Sequence, residues 1–474
     1  MHMKTGNTII QNATIVNEGI RFLASVRIES GRIAEIAKDN ELAVRDGDEV
    51  VEAEGALLLP GAIDGHVHMR EPGLTHKANM ESETRAAARG GVTTLLDMPN
   101  VIPQTTTRRL LQDRYALAEG RCYVNYGFFL GATNDNIEEI KRLDTTQCPG
   151  VKLFMGSSTG NMLVDREEVL HRIFSESPAL IVTHCEDAAR IQSLTQALTK
   201  GEGIFQKFAS HAEGEDFPIR LHSLIRDHEA CFRSTELAVR LATEEKGARL
   251  HVAHITTARE LNLFLPDDER ITAEVCVPHL LFTDEDYQTL GTRIKCNPAI
   301  KTAADRDALR HALTDGRIRT IATDHAPHLL EEKEGGLLKA VSGMPMVQFS
   351  LPAMLTLADG SKVKEDDVLS IERVVELMCH NPARLYRIAE RGFIREGYKA
   401  DLALVRRKAW TVTKDCVESR CGWSPLEGRT MEWQVEKTWV GGYIVWDGTS
   451  LISTPRGEKV FFANLNKPFP KGIV

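Results

Sequence analysis

Apolar and polar residues follow two rhythms along this chain. Between Thr8 and Leu58, the segments TIIQNATIV, RFLASVRIES and GRIAEIA alternate apolar with polar positions and are parted by the turn-prone NEG and SG. A period of two marks half-buried β-strands. The C-terminal part returns to this style in ADLALV and KTWVGGYIVWDG. The middle is different. Short runs rich in apolar and β-branched residues recur there: GALLLPGAIDGHVH, GVTTLLDM, YVNYGFFL, GVKLFM, ALIVTHCE, RLHVAHI, ITAEVCV and IRTIATDHAP. Between them lie helix-like stretches such as NMESETRAAARG, TTRRLLQDRYALAEG and RSTELAVRLATEEKG, the last two ending at a glycine stop.

Eight such strands alternating with helices predict an α/β chain built on a (β/α)₈ barrel. We place the barrel at 59–391, with 1–58 and 392–474 joining as one small β-sandwich made from both termini. The stretch GEGIFQKFASHAEGEDFPIRLHS, between the fifth and sixth runs, reads as an irregular insertion. HLLEEKEGGLLKAVSGMP, after Pro327, reads either as a loop closing over a ligand or as a surface connector.

Composition narrows the picture. A chain of 474 residues with 42% hydrophobic and 26% charged side chains has material for a large buried core. A formal net charge of −9 argues against a nucleic-acid or anionic-membrane surface. Nine scattered cysteines without a Cys-x-x-Cys pair read as thiols in a reducing cytoplasm. The N-terminus MHMKTGNTIIQNATIV lacks the apolar core of a signal peptide, and no apolar run reaches the ~18 residues of a membrane span.

In such barrels the catalytic side chains stand at the C-terminal ends of the strands. The ends of the eight runs carry His66 and His68, Asn100 just beyond the second, Lys152, His184, His254 and Asp324. One histidine in an apolar strand is usually a satisfied core residue. Several strand ends that agree on metal-competent groups predict a metal centre instead. Lys152 lies in GVKLFM among apolar neighbours, where an unpaired ammonium is strongly disfavoured. It is either a snorkelling or salt-bridged lysine, or an amine whose pKa burial lowers from about 10.4. The neutral amine can capture carbon dioxide as a carbamate, a group with two anionic oxygens. His66, His68, the carbamate and Asp324 would then hold one cation, and His184, His254 and the other carbamate oxygen a second. Two Zn²⁺ ions suit these donors, without excluding other divalent ions. A pair about 3.5–4 Å apart lowers the pKa of a bridging water.

The motifs DGHVHMREPG, DMPN, GVKLFMGSS, THCE, HVAHIT, KCNPAIK and TDHAPH resemble the cyclic-amide hydrolases of the amidohydrolase superfamily, and the dihydroorotases most closely. The resemblance runs over nearly the whole chain, including CGWSPLEG near the C-terminus. It implies a carboxylated lysine, a binuclear zinc site and a barrel carrying a small β-sandwich. It also implies a small-molecule substrate: the ring of (S)-dihydroorotate, opened reversibly to N-carbamoyl-L-aspartate in de novo pyrimidine (UMP) synthesis. Asp324 would be the general base, taking a proton from the attacking water and delivering it to the leaving nitrogen. Arg70, if the strand continues past His68, is suited to grip the substrate carboxylate in a two-pronged contact. Asn100 and His328 match positions that help hold that carboxylate, and Asn297 matches one that contacts the ring. His279, near another strand end, is placed only in the lining of the site.

Plainer readings stand beside these: a surface ion pair of Arg70 with Glu71 or Glu81, and turn-forming roles for Asn100 and Asn297. Hydantoinases and allantoinases share the metal ligands but take rings without a matching carboxylate, so Arg70 favours the dihydroorotase branch. Hydantoinase, dihydropyrimidinase or allantoinase activity is the alternative. A catalytically silent scaffold is a third reading, opposed by the presence of all six ligands. Some bacterial dihydroorotases bridge their metals with an aspartate, whereas GVKLFMGSS resembles the lysine version. The family's tendency toward homodimers or larger assemblies is the one partner expectation beyond the substrate.

Overall fold

The computed structural model describes residues 7–38, 42–156, 162–209, 217–360, 369–452 and 454–463. Ser157 and Ser158 of the GVKLFMGSS motif, and 210–216 of the expected insertion, lie outside the described residues.

The alternating segments at the two ends become strands of one sheet. The N-terminal part supplies β1 (Thr8–Asn17), β2 (Ile20–Glu29), β3 (Arg32–Lys38), β4 (Glu49–Glu52) and β5 (Leu57–Pro60). Their inward positions, among them Ile10, Ile15, Val26, Ile28 and Leu58, share a core with Leu402, Leu404 and Trp439. Those last three residues come from the chain's other end, and hydrogen bonding follows the same route. β5 pairs antiparallel with the late strand Leu402–Thr411, setting Leu58 opposite Leu404. The sheet therefore closes only when both ends of the chain are present.

The middle runs become β6 (Ala62–Val67), β7 (Val92–Asp97), β8 (Asn125–Phe128), β9 (Leu130–Gly131), β10 (Val151–Phe154), β11 (Ile181–His184), β12 (Leu250–Val252), β13 (Ile271–Cys276) and β14 (Thr320–Ala322). The C-terminal sheet strands follow as β15 (Leu402–Thr411), β16 (Thr430–Val440) and β17 (Tyr443–Trp446). Neighbours from β6 to β8 and from β9 to β14 pair in parallel. The third run, YVNYGFFL, spans both groups. Phe129 N–H bonds back to Asp97 O at 3.1 Å, while Leu130 N–H bonds forward to Gly150 O at 3.3 Å. Val67 bridges His325, and His68 N–H donates to His325 O at 2.7 Å, so the last strand meets the first. Eight runs thus make one closed parallel wall, the (β/α)₈ barrel read from the pattern.

Helices form where caps and apolar faces coincide. Met80–Arg89 starts at Asn79, whose side chain and that of Ser82 satisfy each other's backbone N–H in a capping box. It buries Met80, Ala86, Ala87 and Ala88 against the wall and stops at Gly90. Arg108–Ala118 is followed by Gly120 in the left-handed region (φ +71°), the glycine stop expected there. His228–Glu244 starts at the Asp227 cap but ends at Glu245 without a left-handed glycine. No helix among the described residues is long and apolar enough to cross a membrane. None of the nine cysteines is paired in a disulfide.

Candidate metal and substrate site

Parallel strands deliver their C-terminal ends to one mouth, and a cavity of about 360 Å³ lies there. His66, His68, Arg70, Asn100, Lys152, His184, His254, Asn297, Asp324 and His328 all line it. Residues spread over more than half the chain are brought together by barrel closure.

The first group comes from β6 and the segment after β14. His66 Nε2 and His68 Nε2 lie 3.4 and 2.9 Å from Asp324 Oδ1. The three ligand atoms lie within 4.8 Å of one another. Opposite them, His184 Nδ1 and His254 Nε2 are 2.9 Å apart. Acceptors behind the rings set which nitrogen carries hydrogen. Glu274 Oε1 takes the N–H of His66 Nδ1 at 2.9 Å, and Asn100 Oδ1 that of His68 Nδ1 at 2.8 Å. Glu186 Oε2 takes that of His184 Nε2 at 2.9 Å. Each leaves the other nitrogen's lone pair facing the cavity, as a ligating imidazole requires.

Charge follows burial. Burial lowers the His68 pKa to about 4 against the upward pull of Asp324. It lowers His184 despite Glu186, and takes His254 well down with help from His184, His66 and Lys152. Burial pushes the Asp324 carboxyl up, but His66, His68 and Lys152 outweigh it and hold the group ionised. The His68, His184 and His254 rings are therefore neutral donors facing a carboxylate.

Lys152 supplies the test of whether this donor set fits a metal pair. It is 0% exposed on β10, and its Nζ has no hydrogen-bond partner among the described residues. Burial lowers its pKa. A snorkelling or salt-bridged lysine would show a route to water or a carboxylate, and neither is present among them. A buried amine with unused donors, surrounded by imidazole lone pairs and a carboxylate, suits cations held through a modified lysine. His66, Glu274 and Cys276 also cluster. There Glu274 already serves His66 Nδ1, and burial beside that carboxylate drives the Cys276 thiol far up, so this group supports the site from beneath.

Arg70 arrives differently from the expectation. β6 ends at Val67, and Arg70 sits off the strand with φ +66°. Asp97, at the end of β7 and paired with buried Arg114, accepts the Met69 N–H at 2.8 Å and fixes the turn. The guanidinium donates from Nε to Pro327 O at 3.0 Å, and its Nη2 lies 2.8 Å from His328 Nε2. It is 8% exposed and has no ion-pair partner among the described residues, so the surface ion-pair reading fails; Glu71 pairs with Arg121 instead. His254 (φ +40°) and Asp324 (φ +47°) share this left-handed backbone. Each such residue costs about 1–3 kcal/mol, and such strain concentrates at functional sites.

Asn297 accepts from Ser342 Oγ at 3.0 Å. Ser342 belongs to the loop after Pro327, which contributes Val341, Ser342 and Gly343 to the cavity wall and is no mere surface connector. Gly343 adopts φ +125°, and a Cβ there would meet Ala326 at 2.8 Å and His328 Cδ2 at 3.1 Å. His279 is corrected: it stands behind the wall, with Nε2 3.1 Å from Pro298 O. The sequence reading missed Glu274, Glu186 and Lys77. A lone glutamate inside ITAEVCV and the one closing THCE were visible signals; Lys77 in LTHKAN offered none.

Comparison with known proteins agrees with this architecture. The amidohydrolase family matches residues 57–445. The dihydroorotase of Methanosarcina acetivorans is 32% identical over 467 residues, covering 95% of this chain and 94% of that protein. The allantoinase of Streptomyces avermitilis is 32% identical over 455 residues, covering 94% and 96%. Among solved structures, L-hydantoinase (dihydropyrimidinase) from Arthrobacter aurescens superposes with a TM-score of 0.86 at 25% identity, covering 96% of this chain and all of that one.

Proposed function

This chain belongs to the amidohydrolase family, and from that premise we propose that its cavity hydrolyses the ring amide of (S)-dihydroorotate reversibly to N-carbamoyl-L-aspartate. The observation that carries the choice of substrate is Arg70, a buried guanidinium without a carboxylate partner among the described residues, in the same cavity as the imidazole cluster. Neutral hydantoin or allantoin rings offer such a cation carbonyl oxygens but no anion to pair with. A ring carboxylate accepts its paired N–H groups.

His66, His68 and Asp324 would hold one Zn²⁺ and His184 and His254 the other, with a Lys152 carbamate serving both. The carbamate forms when neutral Nζ attacks carbon dioxide, making an N–C bond and releasing one proton. Bound there, the cations supply Lewis acidity that lowers the pKa of water and polarises a carbonyl. The chain's own groups do the rest. Arg70, with Asn100 and His328, orients the ring by its carboxylate, and Asn297 meets the ring. Asp324 accepts a proton from the attacking water as the C–O bond forms, then gives it to the ring nitrogen as the C–N bond breaks.

The test is turnover of dihydroorotate against allantoin, hydantoin and dihydrouracil by zinc-loaded protein. We expect dihydroorotate to be preferred. Arg70→Met should raise its KM by about 10–100-fold through loss of a charge-assisted contact. Equal or better turnover of a neutral ring would overturn the assignment.

A further inference from the structure

Lys77 lines the cavity beside His328 and has no part in the proposed proton transfer or metal binding. His328 is buried between two cations: Arg70 Nη2 is 2.8 Å from its Nε2, and Lys77 Nζ is 3.1 Å from its Nδ1. Burial, then Arg70 and Lys77, keep the ring neutral. A neutral imidazole has one N–H and one lone pair. Both neighbours are donors, so one of the two contacts is donor against donor in either tautomer. An entering carboxylate removes the conflict if Lys77 keeps the lone pair of Nδ1, because Nε2–H and Arg70 can then both donate to the anion.

We propose that Lys77 determines specificity by donating to His328 Nδ1, holding the Nε2–H tautomer that presents an N–H beside Arg70 to a substrate carboxylate. This rests on the reading that the substrate is a carboxylate-bearing ring. Without Lys77, hydrogen moves to Nδ1 and the Nε2 lone pair faces the carboxylate, turning attraction into repulsion.

The competing role for Lys77 is mechanical. Its Nζ also pairs with Glu332 Oε1 at 2.6 Å, on the loop that walls the cavity. Glu332 itself does not serve His328: its Oε2 is 3.6 Å from Nδ1, beyond hydrogen-bond reach, and already accepts the Leu329 N–H at 2.8 Å. The two roles therefore separate by mutation.

Zinc-loaded protein with ¹⁵N-labelled histidine, in complex with orotate, reports the tautomer, with His328 assigned by its loss in His328→Asn. We expect Nε2–H in the parent and Nδ1–H in Lys77→Met. In steady state, Lys77→Met should raise the KM for dihydroorotate by about 10–100-fold while kcat changes by less than about threefold. Lys77→Arg should recover most of the loss, and Glu332→Gln should shift KM by less than about threefold. An unchanged tautomer in Lys77→Met, or a Glu332→Gln defect equal to that of Lys77→Met, would overturn the proposal. Parent protein inert on dihydroorotate would overturn the proposed function instead; the tautomer, read without turnover, would still decide the role of Lys77.

Discussion

The floor of the cavity and the loop that walls it each bury a lysine, and the two differ in one respect. Lys152, on β10, is 0% exposed and its Nζ finds no hydrogen-bond partner among the described residues, only the Phe154 ring at 5.1 Å. Lys333, in the loop, is 1% exposed and its Nζ donates to the carbonyls of Lys295, Val341 and Gly343 at 3.1, 2.7 and 2.6 Å. Burial lowers both amines, Lys333 to about 7. Burial alone therefore does not separate a reactive lysine from a structural one. The count of partners does: three carbonyls use all the donors of one ammonium, and the other side chain is left uncommitted beside the imidazole cluster.

Breaking the pair should be lopsided. If Lys152 carries the proposed carbamate, Lys152→Met should lower kcat by on the order of 10³ or more, because the bridging anion would be lost. Urea unfolding of chelator-treated Lys152→Met should show no loss of stability, and a gain of up to about 2 kcal/mol, since no buried amine is left unpaired. A loss instead would make Lys152 structural. Lys333→Met should do the reverse. Three carbonyls lose their donor, for a cost of about 2–5 kcal/mol in the same measurement, and the wall carrying Ser342 loosens.

Glu274 sharpens the contrast, as a buried anion with one oxygen on His66 and the other 3.6 Å from His251 Nε2. Glu274→Gln should weaken zinc binding by about 10–100-fold in chelator competition, by loosening the His66 tautomer. The smallest effect comes from a buried base far from the site. His380 donates from Nδ1 to Gly392 O at 2.7 Å and accepts the Glu18 N–H at Nε2, 2.9 Å, so it fits only as a neutral ring. Burial lowers its pKa to about 4. The unfolded chain takes up the proton near 6.5 and the folded chain only near 4, so stability is full above 6.5 and falls as pH drops through that window. At pH 5.5 the loss from His380 is about 1 kcal/mol, read from urea midpoints of the parent against His380→Gln.

Much of this was legible without coordinates. Period-two alternation and eight apolar runs marked the terminal strands and the barrel because both patterns act between near neighbours. The strand-end rule picked out seven residues that line one cavity, and strand extension and the family resemblance added Arg70, Asn297 and His328. Arg70 was found for a reason that does not hold: the alternation stops at Val67, and a left-handed turn fixed by Asp97 carries the guanidinium to His328. His279 was placed at the site by its nearness to a strand end, yet its strand gives way to the helix Val277–Leu281 and the ring ends behind the wall.

By itself the sequence determined which side chains are offered at the barrel mouth, since strand period and run length are local properties of the chain. Only the tertiary structure decided what each offered group finds there. The Glu274, Asn100 and Glu186 acceptors, the imidazoles and carboxylate around the Lys152 amine and the Lys77–His328–Arg70 row come mostly from strands and loops far apart in sequence. A hydrogen bond is a matter of a few ångströms between atoms, and barrel closure alone sets that distance.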